Sequence, residues 1–95
     1  MSFATMLVHT NDLFYSPSAM GLALFSGGTP ISGDITSSVM LYDAGTEVNE
    51  IPGVGIHQPA RLNGGMDENG NVKTVSDGFT YPAVSDAVKI MITPM

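Results

Sequence analysis

Cysteine is missing from this 95-residue chain, lysine and arginine together number three, and no apolar run nears the length of a membrane span. Without cysteine there is no disulfide and no thiolate to act as nucleophile or ligand, although many exported bacterial proteins lack it too. Three basic residues against nine acidic ones leave a net charge of −6. A field of that sign repels phosphate backbones and anionic lipid headgroups, so no nucleic acid is expected as a partner. A transmembrane helix needs about 20 consecutive apolar residues, and none of the segments offers them. Residues 1–10 carry neither a basic stretch nor an apolar block, so no signal peptide is expected within this chain.

What is present is apolar. Hydrophobic residues make up 43 % of the chain and charged ones 13 %, where about 25 % charged is typical of a lone domain. One domain, residues 1–95, is the most this length supports, and a chain so short buries only roughly 60 to 65 % of its unfolded surface. The expectation is a thin core with part of the apolar surface covered by another protein chain.

Alternation of period two marks the strands. Residues 3–9 are apolar on much of both faces and read as an inner strand. Residues 13–15 and 20–25 follow, separated by Ser16-Pro17-Ser18, and Gly27-Gly28 then gives a turn. Residues 35–42 alternate again, with Ile35, Val39 and Leu41 on one face. A last strand spans residues 87–93, with Val88, Ile90 and Ile92 inward. No segment predicts a helix. Between them, residues 43–86 form a long, loop-rich excursion holding most of the glycine, asparagine and acid, where only residues 71–75 could pair. A connection of that length is either functional or held by a ligand or partner. The fold class is all-β, antiparallel, with sandwich-like strand spacing.

The chemically richest segment is Asp43-Ala44-Gly45-Thr46-Glu47, at the end of the 35–42 strand. It places two carboxylates and a glycine where the chain must turn. Calcium takes six to eight oxygen ligands from carboxylates, carbonyls and water, and loops at one sheet edge can bring them together. Asp12, in the loop that leaves the strand 3–9, would join if that strand neighbours 35–42. The same residues also suit an ordinary turn, with Asp43 bonded to its own backbone and Glu47 in solvent.

Other chemistries find less support. His9 and His57 lack metal-ligand spacing and read as surface or strand-end residues. The serines at 37, 38, 76 and 85 have no nucleophile-elbow glycines, and Gly64-Gly65 reads as a turn. Asp67-Glu68-Asn69-Gly70-Asn71 predicts a hairpin centred on Asn69-Gly70. Met6, Met20, Met40 and Met91 read as core filler. The chain is read as non-enzymatic, with a hydrolase built on a divalent metal at the acidic cluster as the weakest reading.

Asn11-Asp12-Leu13-Phe14, Gly21-Leu22-Ala23-Leu24-Phe25, Gly33-Asp34-Ile35-Thr36, Tyr42-Asp43-Ala44-Gly45-Thr46-Glu47-Val48-Asn49-Glu50, Pro52-Gly53-Val54-Gly55 and Gln58-Pro59-Ala60-Arg61 resemble, in order, the spondin N-terminal domain, notably its bacterial members. The Asp-Ala-Gly-Thr-acid segment is the specific part. The resemblance implies an antiparallel β-sandwich, similar to the calcium- and lipid-binding domains of signalling kinases, with one calcium ion held by three acidic side chains. Those fall on Asp12, Asp43 and Glu47, the last standing where the animal proteins carry aspartate. It also implies an extracellular or periplasmic adhesion or interaction module with a protein or surface partner. The family domain is considerably longer, so this chain resembles its C-terminal portion, an incomplete sandwich expected to be completed by homodimerisation. A metal-free structural domain that binds a protein through an exposed sheet face is the alternative.

Overall fold

A computed structural model describes residues 1–59 and 66–95. Its strands are short: β1 Thr5–Met6, β2 Leu13–Ser16, β3 Phe25–Ser26, β4 Thr29–Pro30, β5 Gly33–Asp34, β6 Met40–Asp43, β7 Lys73–Thr74 and β8 Met91–Ile92. One four-residue helix, α1 Val84–Ala87, and a 3-10 turn, Thr36–Ser38, complete the regular structure among the described residues. All strand pairs are antiparallel, and the all-β class expected from the alternation is what is observed.

The principal sheet runs β1-β2-β6-β7. Its centre is the β2–β6 pair, with Leu13 opposite Asp43, Phe14 opposite Tyr42, Tyr15 opposite Leu41 and Ser16 opposite Met40. Alternation explains why β2 lies inside: Leu13 and Tyr15 point to one face and are 0 % and 1 % exposed. On the opposite face Phe14 stacks on Tyr42 at 5.7 Å between ring centroids. Two smaller ladders, β3–β4 and β5–β8, stand beside this sheet. The first is a hairpin whose two turn residues, Gly27 and Gly28, both take positive φ, as a tight two-residue loop demands.

The core is thin, as the length predicts. Its buried apolar residues, among those described, are Leu13, Tyr15, Leu22, Ile35 and Val39. The radius of gyration is 15.2 Å and the extents are 47 × 25 × 23 Å, against about 12 Å for a compact chain of this size. The molecule is elongated.

Several expectations are corrected. Residues 3–9 do not form an inner strand; only Thr5–Met6 pairs, at the sheet edge, and both are exposed. The chain then folds back: Leu7 N–H donates to the Leu13 carbonyl at 3.0 Å, Thr10 Oγ1 donates to the Leu7 carbonyl at 2.6 Å, and His9 takes φ 68°. Segment 13–15 takes the inner place instead. The strand at 35–42 begins only at Met40, because Asp34 Oδ1 accepts the Thr36 N–H at 2.8 Å and winds the chain into the 3-10 turn. In the segment 20–25 only Phe25 enters a strand, and in 87–93 only Met91–Ile92 does. Met6, Met20, Met40 and Met91 are not core filler; all are exposed, because strands this short bury little beyond one face of β2. The Asn69-Gly70 hairpin is absent: Gly70 N–H donates to the Gly45 carbonyl at 2.9 Å, pairing with a distant turn. Gly64-Gly65 lies outside the described residues.

Candidate functional site: the acidic end of the central strand pair

The Leu13–Asp43 register places Asp12, one residue before β2, beside the last residue of β6. Ala44 N–H continues the ladder to the Asp12 carbonyl at 3.2 Å. The two acids thus meet at one sheet edge, through β2 rather than through the segment 3–9.

Asp12 Oδ2 accepts three donors: Thr46 N–H at 2.7 Å, Thr46 Oγ1 at 2.9 Å and Glu47 N–H at 2.9 Å. The turn after β6 is therefore wrapped around one carboxylate oxygen. Asp12 Oδ1, the other, is buried and has no hydrogen-bond partner among the described residues. Asp43 is 2 % exposed; its Oδ1 accepts the Gly45 N–H at 2.7 Å, and its Oδ2 accepts Asn49 Nδ2 at 2.7 Å. The ordinary-turn geometry considered from the sequence is thus present at Asp43. Glu47 enters through its backbone: its N–H meets Asp12, and the residue forms an antiparallel bridge with Asp67.

Gly45 is required here on two counts. Its φ is +74°, and a Cβ would lie 2.7 Å from the Asn71 carbonyl oxygen. The close approach lets residues 45–48 pair with 66–70: Glu68 N–H reaches the Thr46 carbonyl at 2.9 Å and Val48 N–H the Met66 carbonyl at 2.8 Å. Part of the long excursion is thereby fastened to the acidic turn.

Three residues not anticipated from the sequence join the cluster. Asn49 Nδ2 bridges Asp43 Oδ2 and, at 3.1 Å, Asp77 Oδ2, while Asn49 Oδ1 is buried and has no partner among the described residues. Tyr81 donates its hydroxyl to Asp77 Oδ2 in a short bond. Burial pushes the Tyr81 phenol well above its ordinary range; the Asp77 acceptor and then the charges of Asp77, Asp43 and Asp12 push the same way. All three aspartates thus act on one hydroxyl. The one local signal was Asp77-Gly78, a turn dipeptide whose place beside Asp43 is set only by long-range folding.

Electrostatically the cluster is one-sided. The one ion pair among the described residues is His57 Nδ1 with Glu50 Oε2 at 3.1 Å, so no cationic side chain there pairs with Asp12, Asp43 or Asp77. As they lie, no three His, Cys, Asp or Glu side chains among the described residues form a ready-made metal cage. The donor set nevertheless suits a hard cation in part: two buried oxygens lack any donor, and each Asp43 oxygen keeps a lone pair beyond the bond it accepts.

A second network braces this end. Asn11 Nδ2 donates to Glu50 Oε1 at 3.0 Å while Glu50 N–H returns to Asn11 Oδ1 at 3.1 Å. His57 N–H also donates to Glu50 Oε1 at 3.1 Å, and the fully buried Gln58 donates Nε2 to the Ile51 carbonyl at 2.9 Å. These acceptor contacts hold the Glu50 carboxyl below its usual range, the Asn11 bond first. His57 is a surface histidine with a partner, and His9 is an exposed turn residue whose carbonyl accepts the Gly53 N–H at 2.7 Å.

No family model, no curated protein and no solved structure matches this chain.

Proposed function

We propose that this chain is a non-enzymatic, calcium-binding interaction module, with one calcium ion held by Asp12, Asp43 and Glu47. The observation that carries the reading is the buried, donorless Asp12 Oδ1, set beside a buried Asp43 in a cluster without a cationic partner among the described residues. An unpaired buried carboxylate oxygen costs free energy that a cation would recover. Asp12 and Asp43 would supply carboxylate oxygens; Glu47, whose backbone is already tied to Asp12, would bring the third. The ion's contribution would be structural: neutralising the acids and locking the turn at 44–47 to the strand that follows Asp12. An extracellular or periplasmic adhesion role follows from the spondin resemblance and rests on it alone.

The test is a melting scan in chelator and in calcium chloride. Calcium at a hundredfold excess over Kd should stabilise by about 2.7 kcal/mol, and Asp43→Ala should abolish the shift. Equal midpoints with and without calcium would sink the reading.

A second reading has its own observation. One face of the principal sheet carries Met6, Phe14 and Tyr42 in a row, with Met40 beyond, and Met6 and Met40 are 54 % and 48 % exposed. A metal-free structural role, or an additional one, would use this face to bind a protein. A homodimer is the simplest form, as these four side chains bear no formal charge at neutral pH and two copies would meet without repulsion there. Such pairing would complete the sandwich. Light scattering on a size-exclusion column should return twice the monomer mass; a monomer at all concentrations would remove the dimer.

A further inference from the structure

We propose that the methionines are modification sites: seven exposed thioethers that peroxide converts to sulfoxides without loss of the fold, so that the chain's surface acts as a stoichiometric peroxide sink. Methionine is among the residue types most often found fully buried, because its flexible side chain fills gaps in a core. Here the distribution is reversed. All seven methionines are at least 48 % exposed, Met40 being the least and Met20 reaching 97 %. The buried apolar residues, Leu13, Tyr15, Leu22, Ile35 and Val39, contain no sulfur, and cysteine is absent from the sequence. Every sulfur atom of the chain therefore lies outside its core, and no thiolate competes with the thioethers for an oxidant.

The chemistry balances within each site. A sulfur lone pair attacks one peroxide oxygen, the O–O bond breaks and an S–O bond forms; the departing hydroxide takes up a proton and leaves as water. Sulfur gives up two electrons and peroxide accepts them, so one methionine consumes one peroxide and the chain can consume seven. Oxidation turns an apolar side chain into a polar one, which disrupts a core but places a polar group in water where the side chain is already exposed. Met6 and Met40 show why the strands tolerate it: their pairings with Phe14 and Ser16 are ladders of backbone groups, and the side chains that would change stand in solvent. The sulfur atoms are thus placed where oxidation leaves the packing of the core untouched.

The experiment treats the full chain with hydrogen peroxide, follows oxygen uptake by intact mass and peptide mapping, and follows melting by circular dichroism. Seven added oxygens are expected, with each site reacting within about tenfold of the rate of the amino acid methionine and the melting midpoint moving by less than about 4 °C. Met20→Leu should lower the uptake by one oxygen and leave the midpoint alone. Leu13→Met, a swap that cores tolerate, places a sulfur inside for comparison. That sulfur should resist peroxide in the folded chain, and once oxidised in urea it should lower the midpoint by more than the seven surface sulfoxides together. Loss of the melting transition on full oxidation of the parent chain would overturn the proposal, and so would an introduced sulfur at position 13 that reacts as fast as the others. Protection confined to Met6 and Met40 would overturn the assignment of those two and mark their sheet face as covered.

Discussion

Two regions of the molecule are held by opposite means. Around Asp43, buried carboxylates and amides collect backbone N–H groups from segments far apart in sequence, and little apolar surface is involved. Where β3, β4 and β8 meet the chain end, Leu24, Phe25, Pro30, Ile31, Ile92 and Pro94 instead line an open apolar groove. Phe25 there is 62 % exposed and Met95 wholly so. The first end is over-specified by directional bonds, so its geometry is set even though the core is thin. The second is held by a few ladder bonds and leaves apolar area in water.

The difference can be broken or sharpened by substitution. The largest effect should come from the principal sheet: Leu13→Ala empties a fully buried position and should cost about 3 kcal/mol in urea denaturation. Next, Gly45→Ala attacks the directional end alone. It forces a side chain into a positive φ and against the Asn71 carbonyl, and a loss of about 2 kcal/mol is expected. A neutral result would mean the turn after β6 can move, and the rigidity claimed for that end would fail. A milder probe is acid. The Glu50 carboxyl is lowered on folding, so its contribution is full above its ordinary value of 4.5 and is lost as the pH falls through the lower folded value. Stability should therefore decline on acidification through that window, and Glu50→Gln should flatten the decline. The smallest effect belongs to the apolar groove: Phe25→Ser should change stability in urea denaturation by less than about 0.5 kcal/mol. A large loss of stability there would show that the groove is packed in solution and would erase the contrast.

How far the residues announced all this varies with the kind of signal. The all-β class was legible, because the apolar run 13–15 between turn signals and the period-two alternation of 35–42 meet in the β2–β6 pair. Strand bounds were not, since Asp34 diverts the backbone into a 3-10 turn by a bond to Thr36, a side-chain contact that a hydrophobic pattern does not record. The methionines misled for a related reason: apolar character implies burial only when there is a second layer to bury against. At the site, Asp12 and Asp43 were legible from the turn chemistry around them, and both reach the same edge. Glu47 is present through its N–H. Asn49 and Asp77 were not legible, because neither carries a local pattern that differs from a surface turn, and only the pairing of residues 45–48 with 66–70 shows that the excursion doubles back.

The reciprocal bonds between Asn11 and Glu50 span 39 positions, and those from Asp12 to Thr46 span 34. Closing loops of that size costs chain entropy before any contact rewards it. The β2–β6 pair beside the acidic turn closes a loop of similar length, so the acidic end and the strands it caps stand or fall as one long-range unit.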